Sequence, residues 1–191
     1  YPVQKVSSNK YLAYVEDVPS KGYKAYALSA DKIPGNTGMV VTEKRMENKF
    51  FDIVFNEKGN IQSIYDKVNK RNVLKPGQAG NVLQVFEDRP RSDENWNIEI
   101  YYPQKMYEID DVKSVEVIEE GPVRGGIRIV WKFFDSTVTQ NIYIYENIPR
   151  IDFDCVIDWK EQRLLLKTAF PVQVHAERAT YDIQFGNIER T

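Results

Sequence analysis

The sequence is poor in the residues that most often carry chemistry: it has one cysteine and one histidine in 191 residues. With Cys155 alone no internal disulfide can form, which fits a cytoplasmic setting. With His175 alone a zinc centre would need carboxylates or the lone thiol to complete it, and neither HExxH nor CxxC is present. GxSxG, the P-loop and GxGxxG are also missing, which removes the usual hydrolase, nucleotide and dinucleotide readings. Charge of one sign is not in excess. Lys+Arg 26 against Asp+Glu 28 leaves a formal net charge of -2, and no basic block offers a grip on nucleic acid. No apolar run approaches the roughly 20 residues that span a bilayer as a helix, so no membrane partner is expected. The chain opens Tyr-Pro, with neither an initiator methionine nor a charged-then-apolar signal segment, and reads as a piece of a longer protein.

Helical patterning is equally scarce. No stretch sustains apolar residues at three-and-four spacing for three turns, whereas strict alternation recurs along the chain. In "FFDIVFNEKGNIQSIYD", Phe51, Ile53 and Phe55 alternate, Asn56 to Asn60 supply a turn containing Gly59, and Ile61, Ile64 and Tyr65 return, which predicts a hairpin. In "GGIRIVWKFFDSTVTQNIYIYENIPRIDFDCVIDW", Ile127, Ile129, Trp131 and Phe133 share one face, and Asp135-Ser136 carries turn chemistry. Ile142 and Ile144 then alternate with Tyr143 and Tyr145. A third strand follows, with Ile151, Phe153, Cys155, Ile157 and Trp159 on one face and Asp152, Asp154 and Asp158 on the other. The pattern places Cys155 in the core as a small apolar residue. His175, in "FPVQVHAERATYDIQFG", is expected at a strand edge with an ordinary hydrogen bond. Glycine, proline and asparagine punctuating short strands indicate an all-β fold, an antiparallel β-sandwich. The segment around "SADKIPGNTGMVV" suggests a boundary. Residues 1–35 form a short N-terminal β segment that belongs to a neighbouring small β domain or packs on the sandwich, and residues 36–191 form the sandwich itself.

One loop concentrates functional side chains. In "NVLQVFEDRPRSDENWNIEIYYPQK", Glu87, Asp88, Asp93 and Glu94 mix with Arg89 and Arg91 just before Trp96, Tyr101 and Tyr102. Carboxylates, guanidiniums and amides can share sugar hydroxyl hydrogen bonds in both directions while an aromatic face packs on ring C–H groups. The plainer alternative is solvated ion pairs, with the aromatics plugging the sandwich.

Long motifs agree with one family. "ENKFFDIVFNEKGNIQSIYDK", "GNVLQVFEDRPRSDENWNIEIYY", "VIEEGPVRGGIRI", "DSTVTQNIYIYENIPRIDFDCVIDW" and "LLLKTAFPVQVHAERATYDIQFGNIERT" occur in an order and spacing that resembles the β-rich region downstream of the catalytic domain in α-mannosidases of glycoside hydrolase family 38. "EDVPSKGYKAYAL" also resembles the short element that precedes this region. The resemblance implies a galactose-mutarotase-like supersandwich, incomplete here at its C-terminal end because further strands usually follow the segment resembling "IQFGNIERT". It implies that the parent protein is a retaining exo-acting α-mannosidase whose aspartate nucleophile and zinc ligands lie ahead of this chain, in an α/β barrel. This chain would then hold no catalytic residue and no metal of its own. Its expected partners are the catalytic and helical domains of the same parent, with α-mannosides as the parent's substrates. An open strand edge would favour homo-oligomers.

Transferred to this sequence, the resemblance makes Asp88, Arg89, Asp93, Trp96 and Asn97 candidates either for the border of the sugar site or for a domain interface. Many relatives carry a Trp-Asp-x-Trp-Asp pattern in this loop. Here "SDENWN" keeps Asp93 and Trp96 but has Ser92 and Asn97 where Trp and Asp are familiar. Two other readings stand beside the enzyme-domain one: a stand-alone carbohydrate-binding or scaffold module, and a mutarotase-like epimerase. The epimerase needs an acid and a base flanking a sugar ring, which a single histidine serves poorly.

Overall fold

The alternating segments become strands. The computed structural model describes residues 1–27, 38–94 and 96–191. An N-terminal hairpin pairs β1 (Val3–Ser7) with β2 (Lys10–Ala13). A five-stranded antiparallel sheet follows in chain order: β3 (Val40–Val41), β4 (Arg45–Glu47), β5 (Phe51–Phe55), β6 (Ile61–Asp66) and β7 (Arg71–Asn72). β8 (Val82–Glu87) leads through the long loop to β9 (Met106–Glu108), and then come β10 (Asp111–Glu120), β11 (Arg124–Phe133), β12 (Ser136–Tyr145) and β13 (Ile151–Asp158), which form a four-stranded meander. β14 (Leu164–Ala169) turns back to pair with β8, giving the three-stranded order β14-β8-β9, and β15 (Ala179–Ile183) with β16 (Gly186–Arg190) makes a last hairpin. Every pairing is antiparallel, and no α-helix occurs among the described residues. None of those residues forms a helix long and apolar enough to cross a membrane.

The core lies between the five-stranded and four-stranded sheets. Met46, Ile53, Phe55, Ile61 and Ile64 from one sheet join Ile127, Ile129, Trp131, Val138, Ile142 and Ile144 from the other in a single buried cluster. Period-two alternation explains it, since each strand sends every second side chain to the same side. Register keeps the layer continuous: Ile127 opposes Ile142 and Trp131 opposes Val138. The Asn56–Asn60 turn forms as expected. Asn56 Oδ1 accepts from the Lys58 and Asn60 amides, and Gly59 takes a φ of +74°. A Cβ on Gly59 would stand 2.8 Å from the Trp131 ring, so glycine is required both by the backbone and by the packing. Gly125 is fixed by close approach alone, because a Cβ there would run into Val41 Cγ2.

The second face of β12 is less wet than an alternating aromatic stripe suggests. Tyr143 and Tyr145 are buried, the first beneath the Arg124 guanidinium at 3.9 Å and the second donating its hydroxyl to Asp152. Arg124 is itself paired through two bonds with Glu119. Gln4 of β1 joins this group, donating to Glu119 at 2.7 Å while its Oε1 accepts the Val123 and Arg124 amides. The N-terminal hairpin therefore docks on the sandwich, at the Gly121-Pro122 turn. The expected boundary between residues 35 and 36 falls outside the described residues.

Two expectations need correction. Cys155 is exposed, not a core residue. Its partner on β12, Gln140, is 2% exposed, but β13 ends the four-stranded sheet and the opposing layer thins out there. Alternation identified the correct face and could not tell how far the opposite sheet extends. His175 is likewise exposed and lies in the irregular stretch ahead of β15 instead of at a strand edge.

Candidate functional site

The loop between β8 and β9 is anchored at its base by charge. Glu87, the last residue of β8, receives Arg89 Nε at 2.6 Å and Lys105 Nζ at 2.8 Å. The Lys105 hydrogen bond, the largest influence, holds the Glu87 carboxyl below its ordinary value against an opposing desolvation, and Glu87 in return raises Lys105. Backbone bonds continue the closure: the Glu87 amide donates to the Lys105 carbonyl, and the Asp88 amide donates to that of Arg163, just ahead of β14.

The tip is a tight turn. Asp93 adopts a φ of +56°, which asparagine and aspartate tolerate better than most residues, and its carbonyl accepts the amides of Trp96 and Asn97. Asn97 Nδ2 reaches Asp93 Oδ2 at 3.4 Å and the Ser92 carbonyl at 3.5 Å. Glu94 pairs with Arg163 at 3.5 Å, tying the tip to the same sheet that holds the base. Trp96 is left 89% exposed, with Ile98 and Ile100 exposed in the same segment. Tyr102 behaves differently: its ring packs edge-on against Phe86 at 5.0 Å, and its hydroxyl accepts from Lys167 at 2.6 Å.

Of the five residues named from the sequence, three meet in one turn: Asp93, Trp96 and Asn97. Arg89 turns back to Glu87 and does not face them, while Asp88 sits half-buried at the base. Trp96 plugs nothing in this chain. Sequence reasoning named Glu87 and Glu94 as loop charges but not as anchors, and it missed their partners Lys105 and Arg163. Only the Glu87–Lys105 pair left a trace, as opposite charges bracketing the loop, because Arg163 arrives through strand pairing between distant segments. Among the described residues no group of three His, Cys, Asp or Glu could hold a metal ion, and the donors present do not fit a zinc centre.

Comparison with known proteins agrees with the motifs. Residues 46–191 match the model of the glycosyl hydrolases family 38 C-terminal domain. The chain is similar to alpha-mannosidase G of Dictyostelium discoideum, 33% identical over 76% of this chain and 14% of that protein. It is also similar to human alpha-mannosidase 2C1, 25% identical over 91% of this chain and 18% of the relative. The chain thus spans 14% to 18% of the length of these two relatives. A match of this extent to the family model, with an antiparallel sandwich underneath it, means that the chain belongs to the glycosyl hydrolase family 38 C-terminal domain family.

Proposed function

We propose that this chain is a non-catalytic β domain of a zinc-dependent, retaining exo-α-mannosidase, and that its β8–β9 loop docks on the catalytic part of the parent protein. One observation carries the docking: Trp96, 89% exposed, is presented beside Ile98 and Ile100 on a loop whose base is held by three charges. An exposed tryptophan with aliphatic neighbours suits a protein surface, where tryptophan is enriched at contacts that dominate binding. Arg89, Glu94 and Asn97 are already engaged with other groups of the chain, which leaves fewer polar groups for sugar hydroxyls. The chemistry of the parent would be double displacement, in which a carboxylate attacks the anomeric carbon, an acid protonates the leaving oxygen and water hydrolyses the glycosyl ester with retention. No step of it is assigned to residues of this chain, and zinc would be held by other domains of the parent.

A second reading has its own support. Asp93, Trp96 and Asn97 stand in one turn, an aromatic face beside a carboxylate and an amide, and that set could border the sugar site. Trp96→Ala in the full-length protein separates the two. If the loop docks, thermal unfolding splits or shifts to lower temperature while KM for an aryl α-mannoside stays unchanged. If it borders the sugar, KM rises and unfolding is unaltered. A parent that cleaves no α-mannoside, or whose activity survives chelation, sinks the zinc-mannosidase reading.

A further inference from the structure

A groove of about 560 Å³ opens on the far side of β8 from the core, and no residue of the Asp88–Asn97 loop lines it. Its walls come from the Asn56–Asn60 turn, from Gln78, from the cross-strand neighbours Gln84 and Glu108 on β8 and β9, and from Phe170 just past β14. Its size falls within the range of small-ligand sites. Asn60 is 3% exposed, and its Oδ1 has no hydrogen-bond partner. Buried amide oxygens are almost always paired, so this one identifies a place where the chain's own polar groups are incomplete.

The lining selects a ligand class. Lys58 Nζ lies 3.1 Å from Asp110 and 3.8 Å from Glu108, so its charge is already balanced and the groove is not a trap for anions. Amide side chains present a donor and an acceptor together, matching hydroxyl groups that do both. Phe170 is 38% exposed and is braced from below by Phe153, edge-on at 5.5 Å, which holds its ring steady. A steady aromatic ring beside amides and a carboxylate suits an uncharged pyranose, its C–H face on the ring and its hydroxyls toward the amides. We propose that this groove binds a neutral sugar unit, at a site separate from the loop. The choice of a mannoside as first probe rests on the proposed function, whereas the chemistry of the groove does not.

The test uses crystals of the full-length protein soaked in methyl α-mannopyranoside and, separately, in methyl β-glucopyranoside. The expected result is a pyranose in the groove against Phe170, with hydroxyls in hydrogen-bond reach of the Gln78 and Gln84 amides. Gln84→Ala and Phe170→Ala should each weaken calorimetric binding at that site by about fivefold, with saturated hydrolysis of an aryl α-mannoside unchanged. An empty groove at saturating glycoside, a groove filled by another segment of the parent chain, or binding at crystal concentration only would each overturn the site. An inactive parent that takes glycoside here removes the mannosidase reading and keeps the groove, and an active parent with a bare groove does the reverse.

Discussion

Trp131 joins two kinds of order at one residue. Its ring is fully buried between the sheets, and its indole N–H donates to the Lys58 carbonyl at 2.9 Å, so the Asn56–Asn60 turn is held against β11. Gly59 is the position this arrangement tolerates least. Gly59→Ala combines a left-handed backbone with a Cβ driven into the Trp131 ring, and is expected to cost roughly 2 kcal/mol or more, read from urea denaturation midpoints. Charge acts at this scale as well. Arg45 holds Asp52 through two short bonds, at 2.8 and 2.9 Å, and this hydrogen bonding lowers the Asp52 carboxyl below its ordinary value. A carboxyl whose folded value is depressed stabilises the fold above its unfolded value, near pH 4, and that contribution is lost as pH falls through the folded value. Asp52→Asn should therefore be less stable than the parent sequence at neutral pH, with the gap closing at acid pH as the folded carboxyl takes up its proton. Denaturation series at both pH values check the sign.

Elements are fixed by a few long-range polar contacts more than by their own propensity. The β1–β2 hairpin is mostly exposed, and its hold on the sandwich is Gln4, whose amide serves three partners around the Gly121-Pro122 turn. Gln4→Ala leaves the part-buried Glu119 and two backbone amides short of bonds, at about 1–3 kcal/mol by the usual cost of an unmet buried polar group. Hydrogen exchange should then speed up at Val123 and Arg124 and across β1. The β8–β9 loop depends on Glu87 in the same way. Glu87→Gln removes the negative charge and one of the two acceptor oxygens that hold Arg89 and Lys105, and limited proteolysis should cut between residues 88 and 100 sooner than in the unaltered protein. Added salt should narrow the difference, since exposed ion pairs are screened.

Across the whole molecule, burial declines from the sandwich toward the last strands. β11 and β12 contribute the deepest side chains, β10 is at most half-buried, the second half of β13 is exposed, and β15 and β16 are exposed throughout. Val156, Ile157, Val174, Tyr181 and Phe185 all face solvent in this region. The two outer strands of the four-stranded sheet also differ. β10 carries two register shifts that distort its edge, while β13 pairs with β12 without interruption. Regular unpaired edges recruit further strands. The chain by itself is expected to self-associate through β13, giving an apparent mass in light scattering that rises with concentration. Val156→Lys, which puts a charge on this exposed strand, should lower it, and a mass independent of concentration would count against the idea.

The sequence by itself determined the class of fold, the hairpins and most of the core, because side-chain period and turn chemistry are local properties that need no knowledge of neighbours. Ile127, Ile129, Trp131 and the Asn56–Asn60 turn could be read this way, and long motifs were enough for the family. It also marked the β8–β9 loop and the residues at its tip. Tertiary structure alone decided which charges anchor that loop, since Arg163 reaches Glu94 only after β14 has paired with β8. It likewise decided that Cys155 faces solvent, because alternation names a face but the extent of the opposing sheet determines whether that face is covered. The groove beneath Phe170 belongs to the same class. Its walls come from four separate stretches of chain, and the unpaired Asn60 oxygen exists only once they meet.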